Sequence, residues 1–399
     1  MYSVPLYTTK VKEGLTELIV PDSTKYIEAP GDYIPAKLPV FYNPIMELNR
    51  DISIAVVQVL QRKMNKDLYI CDLLAATGAR GIRFAKEVDG IFKVVLNDLN
   101  PAAVELIQEN VKLNQVEAKT EVSQKDANFL MLEHSKRGIR KFDYIDVDPF
   151  GSPVPFVDYT ILGLFHFGGV IAMTATDTAP LCGVFPKACF RKYGAIPLRT
   201  EYCHEIGARI LASYLAKIAI KHEVGLKILL VHSTDHYFRI YAIVNRGIKL
   251  AEKTIEQLGY IVHCFNCGFR DVMQSLVKIP NKCPECLGEL DFSGYIWTGQ
   301  LFDIDFCEKI LFEIKAKQLR CKKRAIKILE QILKEANAPP TYYDLHKICR
   351  ELKISPPKLE VVIQKLKEQG YKATSTHFKA NCIRTDIKIK ELKNILKEL

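Results

Sequence analysis

The sequence predicts an α/β protein in which a doubly wound, Rossmann-like domain is followed by a smaller α+β domain. Strand-like and helix-like segments alternate between residues 68 and 245, the order in which a parallel sheet acquires helices on both faces. The first strand of this series leads into a glycine-bearing turn. Beyond about residue 256 the pattern changes to paired cysteines and then basic helices. We therefore expect two domains, at residues 1–255 and 256–399.

The segment ahead of the sheet is mixed. Residues 2–20 predict short strands joined by turns, and residues 30–44 are rich in proline and aromatic side chains. Between residues 46 and 64 apolar side chains recur at helical spacing, so the pattern predicts a helix there.

The doubly wound region follows in regular order. The predicted strands lie at residues 68–74, 92–96, 120–123, 142–147, 169–174, 226–233 and 237–245. The predicted helices lie at residues 78–87, 101–113, 127–136 and 200–223. Pro101 falls in the first turn of its helix, where proline is favoured. A loop rich in proline and glycine is expected after the strand at 142–147.

The C-terminal part is predicted to be α+β. Residues 260–300 contain the paired cysteines and short β-like segments, and residues 303–336 are helical and basic. Ala338, Pro339 and Pro340 interrupt that helical region. Two short helices, at 342–352 and 357–368, then precede an extended basic segment at 370–384. This order resembles a winged helix-turn-helix.

The positive charge is concentrated in the C-terminal part. Residues 311–399 contain 21 Lys and Arg against 10 Asp and Glu, whereas the remaining residues contain 35 against 36. A basic module beside a neutral one is typical of nucleic-acid binding, although a solvated lysine-rich helical surface gives the same count. No apolar run is long enough to span a bilayer, and residues 1–20 lack a signal-peptide pattern. We therefore expect a cytoplasmic protein.

The turn after the first strand predicts a nucleotide-like ligand. Asp72 lies at the strand's end, and Gly78 and Gly81 follow at the start of the next helix. Glycines let the backbone approach a ligand, and a helix N-terminus offers N–H groups. A GxGxxG fingerprint is absent, which disfavours a pyrophosphate cofactor. On this evidence alone, both glycines could also be ordinary turn residues.

Acidic and basic side chains around this turn complete the predicted ligand site. Asp98 ends the second strand, where a carboxylate can bind ribose hydroxyls or cap the helix near Pro101. Asp126 and Ala127 follow the third strand, where a carboxylate and a backbone N–H can recognise adenine; alternatively, Asp126 is a loop residue. Three arginines are available to bind the carboxylate of such a ligand: Arg50, Arg80 and Arg83.

The fourth strand leads into Asp148-Pro149-Phe150. This sequence resembles the (D/N)PP(Y/F) loop of amino-group methyltransferases. An exocyclic amine is a poor nucleophile, and a carboxylate can accept its N–H bonds and later its proton. An aromatic ring can hold the base flat. The other interpretation is a turn in which Asp148 is a local cap.

The motifs in order resemble the tRNA guanine-26 N2-dimethyltransferase family. The resemblance covers roughly residues 35–300 and rests on several motifs, at 41–44, 49–51, 76–83, 97–98, 146–153, 176–183 and 232–239, and on the cysteine pairs. It implies S-adenosylmethionine as the methyl donor, tRNA as the substrate and two methyl transfers to guanine N2. Leu73 and Leu74 depart from a glycine-rich methyltransferase signature.

The same resemblance assigns roles to individual residues. The S-adenosylmethionine site would consist of Arg50, Arg80, Asp98, Asp126 and Ala127. Asp148 would be the catalytic carboxylate. Phe41 and Phe150 would hold the target guanine between their rings.

Four cysteines have the spacing of a metal site. Cys264 and Cys267 form one CxxC pair, Cys283 and Cys286 form another, and 15 residues separate them. Four thiolates in two such pairs favour a tetrahedral structural Zn²⁺ site. The alternative is four buried or redox-active thiols. The other eight cysteines lack such pairing and are expected to be packing residues.

Two further groups remain ambiguous in the sequence. Asp177 and Thr178 follow the strand that ends near residue 174, and they either line a base pocket or end that strand. A basic segment follows, and its cations either contact RNA phosphates or form a solvated face; they are Lys187, Arg191, Lys192 and Arg199.

Two other functions fit part of this pattern. The Asp-Pro-Phe loop would also suit a DNA adenine-N6 or cytosine-N4 methyltransferase, and a non-catalytic RNA-binding protein could retain the fold. Four residues argue against the second function by their presence: Arg50, Asp98, Asp148 and Phe150. We expect tRNA as the partner of a monomer, with neither a membrane nor an obligate protein partner.

Overall fold

The computed structural model describes residues 6–26 and 37–399. Part of the proline-rich stretch and the first residues of the expected N-terminal strands therefore lie outside the described residues. The chain divides into two compact units. The first unit comprises residues 1–174, 241–245 and 305–327, and the second comprises residues 175–240, 246–304 and 328–399.

The first half of the chain alternates strands and helices after an N-terminal hairpin. In chain order the elements are β1 (Thr8–Glu13), β2 (Thr16–Pro21), α1 (Glu47–Met64), β3 (Leu68–Asp72), α2 (Ala79–Glu87), β4 (Ile91–Asn97), α3 (Pro101–Asn114), β5 (Thr120–Ser123), α4 (Ala127–Ser135), β6 (Tyr144–Val147), α5 (Val154–Gly163) and β7 (Phe167–Ala175). Short 3₁₀ turns lie at Ser23–Lys25, Pro44–Met46 and Glu117–Lys119.

The main sheet of the first unit is parallel from β5 to β7. Its strand order is β5–β4–β3–β6–β7, and β9, introduced below, adjoins β7. Asp72 of β3 pairs in register with Leu96 of β4 and with Asp146 of β6. The carboxyl ends of these strands therefore meet at one edge, where open α/β sheets bind ligands. The predicted α/β class with a mostly parallel sheet is confirmed.

Local sequence explains where the helices begin and end. Asn100 caps α3 by accepting a hydrogen bond from the Ala102 N–H at 3.1 Å, and Pro101 occupies the first helical position. Asn65 ends α1 in the left-handed conformation, with φ 48°. The segment that follows β6, expected to be a loop, contains the helix α5. The sequence pattern does not predict this helix, because Pro153 is typical of a loop, whereas in the structure it is the N-cap of α5.

The N-terminal hairpin is attached to α3 by two asparagine side chains. Asn110 exchanges hydrogen bonds with the Ile19 backbone, at 2.6 Å to its N–H and 2.9 Å to its carbonyl. Asn114 does the same for Glu17, at 3.1 and 2.6 Å. Each amide satisfies one donor and one acceptor of an edge strand. This attachment positions Glu13, at the end of β1, inside the first unit, where it is 1% exposed.

The rest of the chain continues the numbering. Its elements are α6 (Thr178–Leu181), α7 (Pro186–Tyr193), α8 (Cys203–Lys221), β8 (Val224–Thr234), β9 (Tyr237–Arg246), α9 (Ile248–Ile255), β10 (Leu258–His263), β11 (Arg270–Met273), β12 (Asp291–Trp297), α10 (Ile304–Ala316), α11 (Lys322–Glu335), β13 (Tyr343–Asp344), α12 (Leu345–Leu352), α13 (Leu359–Glu368), β14 (Ala373–Ser375), β15 (Cys382–Thr385) and α14 (Ile389–Glu398). A 3₁₀ turn lies at Leu276–Lys278. The basic segment at 303–336, predicted as one helical region, is two helices.

A buried ion-pair network stabilises the second unit. Glu205 of α8 accepts from Arg209 at 2.8 Å and from Arg384 of β15 at 2.9 Å, and Arg384 also pairs with Glu335 at 3.1 Å. Burial alone would raise the pKa of Glu205, but the two arginines outweigh it and lower that pKa to about 2. The charges therefore stay paired and ionised throughout the neutral range.

Two small antiparallel sheets lie in the C-terminal part of the second unit. One has the order β11–β10–β12, and the other has the order β13–β15–β14. The second sheet packs with α12, α13 and α14 around a core that includes Ile348, Val362, Ile383 and Leu392. No helix within residues 6–26 and 37–399 has the length and apolar character needed to cross a bilayer.

Candidate cofactor cleft and catalytic loop

A cleft opens at the carboxyl edge of the sheet in the first unit. It holds about 380 Å³ of space, including its open mouth. The residues that line it come from the segment before α1, from α1, from the turn between β3 and α2, and from the loop after β6; they are Phe41, Tyr42, Asn43, Arg50, Asp72, Leu74, Ala75, Ala76, Thr77, Ala79, Arg80 and Asp148. The cleft thus joins four of the predicted site residues, Phe41, Arg50, Arg80 and Asp148.

The turn between β3 and α2 is held by Asp72. Its Oδ2 accepts the Gly81 N–H at 2.9 Å. Gly81 has to be glycine because a Cβ there would lie 2.2 Å from the Leu96 side chain. Burial raises the pKa of Asp72 to about 7, and Asp146 adds to the rise while Arg80 opposes it. Asp72 therefore fixes the turn through this hydrogen bond from the end of β3.

Asp98 holds the same turn from the neighbouring strand. Its Oδ2 accepts the Ala76 N–H at 2.8 Å, and its Oδ1 accepts the Asn100 N–H at 2.9 Å. Ala76 has φ 52°, an uncommon value for a residue other than glycine. The cap of α3 is Asn100, so the alternative role of Asp98 as that cap is wrong.

Asp126 and Ala127 lie where α4 begins. Asp126 is exposed and caps the helix by accepting the Phe129 N–H at 3.0 Å. Ala127 is buried, at 5% exposure. The helix N-terminus therefore presents a carboxylate and backbone N–H groups after β5, the strand next to β4. This placement is compatible with the adenine-binding role that the sequence predicts, which stays a prediction.

Arg80 connects α1 to the loop that follows β6. Its guanidinium pairs with Asp148 and lies 3.3 Å from Asp146. On its other side, Nη1 donates to the Asn49 amide oxygen at 2.9 Å and to the Ser53 hydroxyl at 2.8 Å. Arg80 is only 4% exposed, so these partners fix its geometry. The Nδ2 of Asn49 is buried without a hydrogen-bond partner in the described parts of the chain, which fits a site that a polar ligand completes.

Arg50 faces the cleft but is held by Glu13. Its Nε and Nη2 donate to the two carboxylate oxygens at 2.7 and 2.5 Å, and Nη2 also donates to the Asn43 carbonyl at 3.1 Å. The Tyr42 hydroxyl donates to the same carboxylate at 2.7 Å. Burial opposes ionisation of Glu13, yet Arg50 and Arg83 outweigh it, so the pKa of Glu13 is lowered.

Arg83 does not serve the cleft, which corrects the expectation that it was available to a ligand carboxylate. Its side chain is fully buried and pairs with three carboxylates. Asp51 lies at 2.7 Å, Glu87 at 3.0 Å and Glu13 at 3.4 Å. Withdrawing this cation would leave the buried carboxylates of Asp51 and Glu87 without an ion-pair partner in the described parts of the chain. Arg83 therefore has a structural role.

Phe41 and Phe150 are neighbours, as the predicted base sandwich requires. Their ring centroids are 4.5 Å apart, and the planes meet at 89°. Phe150 is 60% exposed. A flat base between two parallel rings needs about 7 Å between them, twice the contact distance of carbon atoms. The present edge-to-face contact therefore leaves no gap for a base, and at least one ring must turn before a base can enter.

The four predicted metal ligands converge in the second unit. Their sulfur atoms all lie within 4.8 Å of one another, with Cys264 to Cys286 at 3.5 Å and Cys267 to Cys283 at 3.6 Å. Tetrahedral Zn–S bonds of about 2.3 Å place sulfurs about 3.8 Å apart. The donor set and its spacing therefore fit Zn²⁺.

Asp177 supports α7. It accepts the Tyr193 hydroxyl at 2.6 Å and the Lys192 ammonium at 2.9 Å. Asp177 and Thr178 lie where β7 has ended and α6 begins, with Asp177 as the N-cap of α6. A role of these two residues in a base pocket stays a prediction.

Sequence reasoning missed Glu13 and the partners that orient Arg80. Glu13 lies in a hairpin with no motif around it and meets Arg50 only through a contact 37 positions away. Asn49 belongs to the motif at 49–51, and its position one turn before Ser53 on α1 is the signal that could have paired them. Asp146 lies two residues before Asp148 at the end of β6, and this spacing in the sequence is the signal that could have indicated a second carboxylate near Arg80.

Comparisons with known proteins identify the family of this chain. Residues 14–397 match the family model described as N2,N2-dimethylguanosine tRNA methyltransferase. A tRNA (guanine(26)-N(2))-dimethyltransferase of Methanosphaera stadtmanae is 42% identical over 98% of this chain and 96% of its own length. A relative from Aquifex aeolicus, named tRNA (guanine(26)-N(2)/guanine(27)-N(2))-dimethyltransferase, is 35% identical over 98% and 96%.

A solved structure is similar over nearly the whole chain. It is described as the complex of Trm1 from Pyrococcus horikoshii with S-adenosyl-L-methionine, and it superposes with a TM-score of 0.83 at 37% identity. The match covers 97% of this chain and 99% of that one.

Proposed function

This chain belongs to the N2,N2-dimethylguanosine tRNA methyltransferase family, and from that premise we propose that it methylates the exocyclic N2 of guanine-26 in tRNA in two steps. The product is N2,N2-dimethylguanosine, and S-adenosylmethionine is the methyl donor. The observation that carries the proposal is the Asp148 carboxylate, which follows β6 and lines the cleft at the carboxyl edge of the sheet.

Asp148 is the residue that we assign to the reacting amine. Arg80 bonds its Oδ2, while Oδ1 makes no hydrogen bond within residues 6–26 and 37–399. Oδ1 can therefore accept an N–H of the guanine amino group and direct the nitrogen lone pair toward the methyl group. The N–C bond forms as the C–S bond breaks, and the amine proton passes to the carboxylate or to solvent.

The cofactor contacts follow the predicted assignments. Asp98 would bind the ribose hydroxyls, because each carboxylate oxygen has a second lone pair besides the one that holds the turn. Asp126 and the Ala127 N–H would bind the adenine. Arg50 and Arg80 would bind the methionine carboxylate. Arg50 has the stronger claim because it pairs with one carboxylate, that of Glu13, whereas Arg80 pairs with both Asp146 and Asp148.

Phe41 and Phe150 would hold the target guanine. An aromatic ring on each face of the base restrains it in the plane that the methyl transfer requires. Because the rings now touch edge to face, we propose that base entry turns Phe150, the more exposed of the two. The free energy of base stacking would then replace that of the edge-to-face contact.

Residues 256–399 would form a zinc-binding and tRNA-binding domain. Cys264, Cys267, Cys283 and Cys286 would hold one structural Zn²⁺, which closes two chain segments around a single ion. The order of β13, α12, α13, β14 and β15 resembles a winged helix-turn-helix, and we propose that this part contributes basic surface to tRNA binding. We expect a monomer.

The test is methyl transfer from labelled S-adenosylmethionine to an unmodified tRNA transcript, with nucleoside analysis of the product. Asp148→Asn keeps the shape of the side chain but removes its charge, so we expect transfer to fall by about 10²–10⁴-fold. Asp67→Asn, at an exposed position of the same unit, is the matched control and should act like the wild type. Label in duplex DNA but not in tRNA would overturn the proposal in favour of a DNA methyltransferase.

A further inference from the structure

The exposed face of α7 combines aromatic and cationic side chains. On this helix Pro186, Lys187, Phe190 and Arg191 are exposed, and at 100° per residue they span one continuous arc. Cys189 and Tyr193 lie outside this arc and are fully buried. Phe185, the residue before the helix, is 58% exposed, and Phe190 is 61% exposed.

The surrounding segment has a uniform charge. Residues 178–200 contain four basic residues and no Asp or Glu. Lys192 is neutralised by Asp177, whereas neither Lys187 nor Arg191 forms an ion pair with any described residue. Arg199 is also exposed, and its backbone packs directly against Gly183, two residues before Phe185. Three cations that form no ion pair with a described residue therefore lie in the same segment as the two exposed rings.

This face is held rigidly from behind. The Tyr193 hydroxyl and the Lys192 ammonium both donate to Asp177, as described above, and the Lys217 ammonium of α8 donates to the Tyr193 and Gly194 carbonyls at 3.0 and 3.1 Å. Tyr193 also meets Tyr214 edge to face, with centroids 5.8 Å apart. A fixed helix presents its side chains without the entropic cost of ordering a loop on binding.

We propose that this α7 face is a tRNA-docking surface, distinct from the pocket for the target guanine. Lys187, Arg191 and Arg199 would contact backbone phosphates, and Phe190, with Phe185, would stack on an unpaired base. Rings interleaved with cations are how proteins bind non-helical RNA. The inference rests on the proposed function, because it takes tRNA as the polyanion.

Charge favours RNA over a protein partner at this face. A hydrophobic protein interface has few charges at its centre, whereas here the cations lie on the same arc as Phe190. Two exposed aromatic side chains in a segment whose charged residues are all basic fit a ligand that offers both π faces and negative groups, which is the chemistry of a nucleic acid strand.

The test compares α7 with another exposed helix of the same unit. The affinity for an unmodified tRNA transcript would be measured at several salt concentrations for two variants. One variant combines Lys187→Glu with Arg191→Glu, and the other is Phe190→Ala. Lys249→Glu and Ile248→Ala on α9 are matched controls, because Ile248 is 60% exposed but that helix also contains an acidic residue, Glu252. S-adenosylmethionine affinity within twofold of the wild type would show that each variant is folded.

We expect the double charge reversal to weaken tRNA binding by at least tenfold and to lower the slope of log affinity against log salt by about one for each phosphate that is no longer bound. Phe190→Ala should weaken binding about tenfold, with little change in that slope. The α9 controls should bind like the wild type.

Binding by the α7 variants that equals the α9 controls would overturn the docking surface, and methylation of tRNA by the same preparations would leave the proposed function intact. A wild type that binds tRNA through α7 but transfers no methyl group would overturn the function alone. A change in oligomeric state of the α7 variants with unaltered tRNA affinity would identify the face as a protein interface and refute the inference.

Discussion

Replacing Glu13 with glutamine removes a negative charge that Arg50 and Arg83 share, and we expect the free energy of unfolding to fall by about 2–3 kcal/mol. The carboxylate accepts two bonds from Arg50, at 2.7 and 2.5 Å, and one from Arg83 at 3.4 Å. Removing one partner of a buried ion pair costs about 3–5 kcal/mol. The loss is smaller here because glutamine keeps one acceptor oxygen, and Arg83 keeps two other carboxylates.

The assay is thermal unfolding at neutral pH, with Glu17→Gln as the matched control. Glu17 lies in β2 of the same hairpin, and its side chain is exposed. A loss of about 2 kcal/mol corresponds to a decrease in melting temperature of roughly 4–8 °C, whereas the control should melt with the wild type.

The pH dependence of the melting temperature provides a second test of the role of Glu13. The pKa of Glu13 is lowered because its two arginines outweigh burial. Its charge therefore contributes stability fully above the ordinary glutamate pKa, and that stability is lost as the pH falls through the folded-state value. The gap between wild type and Glu13→Gln should shrink in this acid range. Equal melting of the Glu13 and Glu17 variants at neutral pH would refute the reasoning.

Three further predictions address the base, the metal and the cleft. Phe150→Ala should lower the kcat/KM for tRNA by about 10–100-fold, the range expected for one stacking contact, while Phe150→Tyr retains activity; equal loss in both would argue against stacking. Metal analysis should find about one zinc per chain. When both Cys264 and Cys267 become Ser, we expect the zinc and part of the thermal stability to be lost. The assignment would be contradicted if zinc survived this change, or if it disappeared in the buried-thiol control Cys349→Ser. Burial raises the pKa of Asp72 to about 7, so its contribution to stability is present in acid and lost as the pH rises through about 7. Between pH 5 and 8 the melting temperature of Asp72→Asn should therefore fall less steeply than that of the wild type. Parallel curves for the two proteins would show that Asp72 is not the source of the pH dependence.

The order of elements in the sheet was predictable, because periodicity and turn residues are local. β5, for example, has the bounds that the sequence predicts, and β3 and α3 differ by at most two residues at either end. The helix α5 was not predictable, because Pro153 usually signals a break and here starts a helix. The division of residues 303–336 into α10 and α11 was also missed, because the five residues between them carry helix-favouring lysine, leucine and arginine.

The candidate site was predictable to the extent that its residues follow strand ends. Asp98 and Asp148 each lie after a parallel strand, and the carboxyl ends of such strands meet at one edge. The contact of Phe41 with Phe150 could not be derived from spacing, since 109 positions separate them, and it came from the family resemblance. The edge-to-face angle depends on side-chain packing, which no sequence pattern encodes.

The three arginines around the cleft show most clearly what the fold adds. In the sequence Arg50, Arg80 and Arg83 are equivalent candidates for a ligand carboxylate. Their carboxylate partners separate them. Arg83 is fully buried and pairs with three carboxylates, and Arg80 pairs with Asp146 and Asp148 at the end of β6. Arg50 has a single carboxylate partner and lines the cleft. Only the Arg83–Glu87 pair is visible as an i,i+4 spacing, whereas Glu13 acts from a different element. The distribution of negative charge, more than the arginines themselves, therefore distinguishes the three cations, and under the proposed function it favours Arg50 as the one that binds the cofactor.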